Sequence, residues 1–139
     1  MNEFPPLVIR ASAGTGKTFQ LSNRFLALLH RGVPIDQILA TTFTRKAAGE
    51  ILDRVIQRLA MAADSDKASA ELAKFIEEPD LTRDRCLELL SQLTRNAHRI
   101  RISTLDSLFT QLATTHSLEL GLPPGWRILE DLDDQQLRQ

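Results

Sequence analysis

The sequence predicts an α/β fold, a parallel sheet held between helical layers, and two observations carry that expectation. Short apolar, β-rich runs alternate with longer amphipathic segments, the pattern of a parallel three-layer α/β/α arrangement. The first run also passes through a glycine-containing turn, Ala11-Ser12-Ala13-Gly14-Thr15-Gly16-Lys17-Thr18, into a helical segment. Strand, glycine-rich turn and helix in that order form the context of a phosphate-binding loop.

The elements follow in order. Leu7–Arg10 reads as a short buried strand. From Lys17 to about His30, Leu21, Phe25, Leu28 and Leu29 recur at helical spacing, an apolar stripe expected to face the sheet. Gly32 and Pro34 end this helix, with His30 and Arg31 in its last turn. Ile38–Phe43 is a second β-rich run, too short for a helix. A second helix is expected from about Arg45 to Met61, with Ile51, Leu52, Val55, Ile56 and Leu59 on its core face. Residues 62–67 form a polar break. Ser69–Glu78 and Arg83–Ala97 read as two further helices parted by Pro79. Ile100–Ser103 is a third strand and Thr104–Leu120 a helix, closed by the turn signal Gly121-Leu122-Pro123-Pro124-Gly125. Trp126–Leu129 reads as a short extended piece and Asp131–Gln139 as the start of another helix.

Composition bounds the function. At 139 residues, 42% hydrophobic and 25% charged, the chain suits one globular domain. A net charge of −1 gives no general attraction to nucleic acid, so any such affinity must come from local groups. The single cysteine, Cys86, excludes an internal disulfide and fits a reducing compartment. No apolar run has the length of a membrane span and the N-terminus has no signal-peptide pattern, so a cytoplasmic location without membrane contact is expected.

The chemistry begins in the glycine-rich turn. Gly14 and Gly16 let backbone N–H groups approach phosphate oxygens, and the dipole of the following helix points at the same anion. Lys17 supplies a point charge for β- and γ-phosphates, and the Thr18 hydroxyl a ligand for Mg²⁺. Ala11 stands where the common pattern has its first glycine. A second stretch, Ala40-Thr41-Thr42-Phe43-Thr44-Arg45-Lys46-Ala47-Ala48, lies at the end of the second strand, on the sheet edge where ligands bind in parallel sheets. It offers a ring, hydroxyls and cations, the groups that single-stranded nucleic acid needs. From composition alone Phe43 reads instead as core and Arg45 with Lys46 as a solvated face. A third stretch, Ile102 to Phe109, passes from strand to helix with Ser103 or Thr104 as cap.

The order and spacing of Ala-Ser-Ala-Gly-Thr-Gly-Lys-Thr, Leu-Ala-Thr-Thr-Phe-Thr-Arg-Lys-Ala-Ala and Ser-Thr-Leu-Asp-Ser-Leu-Phe resemble the first motifs of UvrD/Rep-type superfamily 1 DNA helicases. The variants Thr-Arg-Lys-Ala-Ala and Leu-Asp-Ser-Leu-Phe lean towards the RecB/AddA helicase–nuclease branch. The segment from Trp126 to Glu130 is similar to the lead into that family's accessory helical subdomain. The resemblance implies an incomplete RecA-like motor domain over residues 1–139, with a helical insertion at 61–98 and the accessory subdomain starting at 126. It implies that ATP–Mg²⁺ is held by residues 11–18 (Ala11, Ser12, Ala13, Gly14, Thr15, Gly16, Lys17 and Thr18), with Lys17 and Thr18 as the catalytic groups. It implies that Thr42, Phe43 and Arg45 touch single-stranded DNA, with Thr104 and Asp106 near the same strand. Further partners implied are the second motor lobe and a nuclease, as a domain or as a separate chain. Two residues depart from the pattern: Asp106 where many relatives carry His, and Phe19 where some have an arginine near the adenine.

A P-loop ATPase also needs a buried strand ending in a carboxylate. Phe75-Ile76-Glu77-Glu78 reads as a helix end, and Ile128-Leu129-Glu130-Asp131 as a turn. The chain is thus expected to be the N-terminal piece of a longer enzyme, with little turnover by itself. The alternatives are a small P-loop kinase, whose lid arginines would come from Arg83, Arg85, Arg95, Arg99 and Arg101, although these are spread over helix and strand without a lid-like glycine flank, and a nucleotide-binding module without turnover.

Overall fold

The computed structural model describes residues 5–9, 16–123 and 125–126. Its elements are α1 (Lys17–His30), a 3-10 turn at Ile35–Gln37, β1 (Leu39–Thr42), α2 (Arg45–Ala62), α3 (Asp66–Ile76), α4 (Arg83–Arg95), a second 3-10 turn at Ala97–Arg99, β2 (Arg101–Thr104) and α5 (Leu105–Thr115).

Local chemistry sets most of these boundaries. Thr44, Ser65, Thr82 and Thr104 stand before α2 to α5, and each side chain accepts the N–H three residues on. At the other end of α1, Gly32 adopts φ +82°. Its N–H donates to the Leu29 carbonyl at 3.0 Å, while the Val33 N–H donates to that of Leu28 at 3.0 Å. That double bond pattern is a Schellman ending, and its left-handed residue favours glycine. The expected α3 starts earlier, at Asp66, because Ser65 supplies the cap. α3 ends at Ile76, where Glu77 takes φ +61° ahead of Pro79, so the Glu77–Glu78 pair is a helix end as expected. α4 stops at Arg95 and α5 at Thr115, both short of the expected ends.

The core is mainly helical. Phe25, Leu26 and Leu29 of α1, Val55 and Leu59 of α2, Leu72 and Ile76 of α3, and Cys86, Leu89 and Leu93 of α4 form one buried cluster. The α1 stripe therefore packs chiefly against α2, α3 and α4, where a sheet was expected to cover it. α3, the loop after it and α4 all contribute side chains to this core. On α2, Ile51, Val55 and Leu59 are buried, Leu52 is half-buried, and Ile56 is exposed, contrary to expectation. A helix buries only the stripe that its neighbours cover, and Ile56 lies outside it.

The sheet is smaller than predicted. Among the described residues it has two strands, β1 and β2, which run parallel with Leu39 opposite Arg101 and Thr42 opposite Thr104. Residues 43–100 supply the long crossover that a parallel pair requires. α2 and α5 both pack against the pair. Leu7–Ile9 is not a strand: Leu7 is 63% exposed and Val8 86%. An apolar run becomes a strand only with a ladder partner, and β1 and β2 pair with each other. The expected Arg10 end of that run, the extended piece at 127–129 and the helix at 131–139 lie outside the described residues. No helix among the described residues is long and apolar enough to cross a membrane.

Candidate functional site

The start of α1 differs from the other helix starts. Its cap residue is Gly16, in a left-handed conformation at φ +84° and ψ 12°, which has no side chain to cap the first turn. A Cβ at Gly16 would meet nothing within 4 Å, so the backbone angle alone explains the glycine. No acidic residue occupies the first turn. The first amide N–H groups and the positive end of the helix dipole lie at this end of α1, an arrangement that suits an anion. Lys17 is exposed and Thr18 half-buried on that turn, where a cation and a hydroxyl suit a triphosphate and its Mg²⁺. Ala11, Ser12, Ala13, Gly14 and Thr15 lie outside the described residues.

The second and third motifs meet through strand register. Because Thr42 pairs with Thr104, both strands end at the same level and both chains turn there into helices, α2 and α5. Phe43, Arg45, Thr104 and Asp106 consequently line one open groove of about 700 Å³. Phe43 is 84% exposed, so its ring is not a core residue, whereas Arg45 and Lys46 are exposed, as the composition-based alternative has them. Thr42 is half-buried at the end of β1, beside the groove and not among its lining residues. Thr104 is buried, with its hydroxyl engaged: it accepts the Ser107 N–H at 3.1 Å and lies 2.8 Å from Ser107 Oγ. Its task in this geometry is to cap α5. Asp106, exposed in the first turn of α5, complements the dipole there. Ser107, Thr110 and Gln111 also line the groove. Their signal in the sequence is the helical spacing from Asp106 to Thr110 and from Ser107 to Gln111, which becomes meaningful once a groove is known.

A separate polar cluster lies at the far end of α1. His30 Nε2 stands 3.1 Å from Asp80 Oδ1, and Arg31 pairs with Glu78. His30, Glu78 and Asp80 bring ligand-type atoms within 4.8 Å of one another. The Arg31 guanidinium on Glu78 and an Arg85 hydrogen bond to the His30 carbonyl mark the cluster as a clasp between α1 and the α3–α4 loop. The hydrogen bond from His30 is the main influence that holds the Asp80 carboxyl below its ordinary range.

Comparison with known proteins gives the chain's family. The chain is 35% identical over 132 residues to a Streptococcus mutans protein whose name makes it the A-type component of an ATP-dependent helicase/nuclease, covering 94% of this chain and 10% of that protein. Proteins of the same name from Streptococcus suis and Streptococcus agalactiae are 36% and 34% identical, over 90% and 94% of this chain. The chain thus spans about a tenth of the length of these relatives. No solved structure matches it. Residues 3–139 match the model of the UvrD/REP helicase N-terminal domain, and on that span the chain belongs to the UvrD/REP helicase N-terminal domain family.

Proposed function

We propose that this chain is the ATP- and single-stranded-DNA-binding N-terminal part of an ATP-dependent DNA helicase that works with a nuclease in DNA repair or recombination. The observation that carries the reading is the strand register. By setting Thr42 opposite Thr104 it brings two separated motifs, which the family resemblance ties to DNA, around one groove with an exposed ring. The family match and the names of the relatives support the ATP-dependent and DNA-directed parts of the reading.

In this reading Gly16 and the amides of α1 bind the triphosphate, Lys17 offsets its charge and Thr18 takes a metal position. Bound Mg²⁺ would neutralise charge between the β- and γ-phosphates. Phe43 stacks on a base, Arg45 meets a backbone phosphate, and Asp106 accepts from a base or orients a neighbour. A carboxylate repels phosphate, so Asp106 does not serve as a phosphate contact. Residues 1–139 form part of a RecA-like motor domain, and the second lobe completes hydrolysis and stepping. The test is a pair of titrations on this chain, with Mg²⁺-ATP and with oligothymidylate. The reading expects both ligands to bind, with DNA affinity falling as salt is raised. Absence of both, or transfer of phosphate from ATP to a small metabolite, would overturn it.

A further inference from the structure

α1 lacks the capping hydroxyl that fixes the first turn of every other described helix, yet it carries Lys17 and Thr18. Another residue holds that turn. Arg58, on α2, places its guanidinium carbon 4.4 Å from the centroid of the Phe19 ring. Its Nη1 donates to Ser22 Oγ at 2.7 Å, and Ser22 Oγ donates to the Phe19 carbonyl at 2.7 Å. Ser22 is fully buried. The Phe19 ring also meets Phe75 of α3 edge-on, at 5.3 Å and 87°. Phe19 directly follows Lys17-Thr18, so this clamp acts on the residue next to the phosphate-binding pair.

A structural role alone accounts poorly for the choice of arginine. Arg58 Nη2 is buried with no hydrogen-bond partner, and no carboxylate pairs with this cation among the described residues. Burial, and then the charge of Arg54, lower its pKa. A long apolar side chain would fill the same gap between Phe19 and Phe75 without leaving a donor unsatisfied. What arginine adds is direction: a planar cation over a ring, combined with a hydrogen bond to a fixed hydroxyl, sets both rotation and height of the turn.

We propose that Arg58 is a positioning residue for nucleotide binding, clamping the first turn of α1 through Phe19 and Ser22 so that Lys17 faces the phosphates. The inference rests on the phosphate-loop reading above.

The experiment measures Mg²⁺-ATP affinity by calorimetry, with urea denaturation of every variant to confirm a folded population. Arg58→Met should weaken binding by roughly tenfold while the protein stays folded. In a Lys17→Ala background the same change should add little, because the residue acts through the lysine. Arg58→Lys should restore part of the loss, since an ammonium can still lie over the ring and reach Ser22. Affinity equal to the parent's, or an equal loss with and without Lys17, overturns the proposal. Should Arg58→Met not fold, Ser22→Ala cuts the same link with a smaller change, and unchanged affinity there also overturns it. Parent binding that ignores Lys17→Ala defeats the phosphate-loop reading itself, and this inference with it.

Discussion

Phe43→Ala separates binding from folding more cleanly than any other change in the groove. The ring is 84% exposed, so folding has buried only a small part of its apolar surface. At about 25 cal/mol per Å² and about 150–250 Å² for a whole phenylalanine, that remnant is worth about 0.6–1 kcal/mol, and the urea midpoint should move little. A buried phenylalanine such as Phe25, 2% exposed, would instead cost about 3–5 kcal/mol. The effect on DNA should be larger. Stacking of a base on a ring contributes about 1–3 kcal/mol, so affinity for oligothymidylate should fall roughly 5- to 150-fold. Because a stacking ring reads no hydrogen-bond pattern, the loss should be similar for mixed sequences. Fluorescence anisotropy at low salt measures the affinities, and denaturation on the same preparations measures stability. Unchanged DNA affinity in a folded variant would refute the placement of single-stranded DNA beside Phe43. Loss of the fold would refute the exposure on which the calculation rests.

Other consequences follow from the core and from the surface charges. Leu89→Ala, on α4 and 1% exposed, should destabilise the whole domain by about 2–5 kcal/mol, because α4 shares one core with α1 and α2. A local loss that left α1 and α2 protected in hydrogen exchange would contradict that shared core. Acid should weaken the fold through Asp80 and Asp36, whose carboxyls are held below the ordinary value of 3.8, chiefly by hydrogen bonds from His30 and Arg99 respectively. The sign is that of a depressed carboxyl: the stabilisation is present above the unfolded pKa and is lost as pH falls through the folded one. Asp80→Asn with Asp36→Asn should therefore flatten the fall of the urea midpoint below about pH 4, and an unaltered profile would show that neither pair contributes.

The parts of this molecule governed by short-range chemistry were legible in the sequence. Capping hydroxyls and glycine stops are local, which is why Ser103 or Thr104 before α5 and Gly32 after α1 mark helix ends from residue identity alone. Helical periodicity found the buried faces of α1 and α2, but not what covers them. That depends on α3 and α4, whose places are set by tertiary packing, so a stripe expected against a sheet lies among helices instead. The strand at Leu7–Ile9 failed for the same reason in reverse: apolar composition is local, but a ladder partner is not. In the groove, Phe43 and Arg45 were singled out by the family resemblance and not by residue type, whereas Ser107, Thr110 and Gln111 acquire meaning only from the Thr42–Thr104 register. Arg58 was the least legible, since it acts across 39 positions on a residue noticed only as a departure from the family pattern, Phe19.

The central claim is that the start of α1 holds the phosphates of ATP, and Lys17→Ala tests it most directly. A charge-assisted contact of this kind contributes about 1.5–3 kcal/mol. Calorimetry should accordingly show Mg²⁺-ATP affinity falling by roughly tenfold or more, with the urea midpoint held, since Lys17 is exposed. Equal affinity in parent and variant, both folded, would contradict the account.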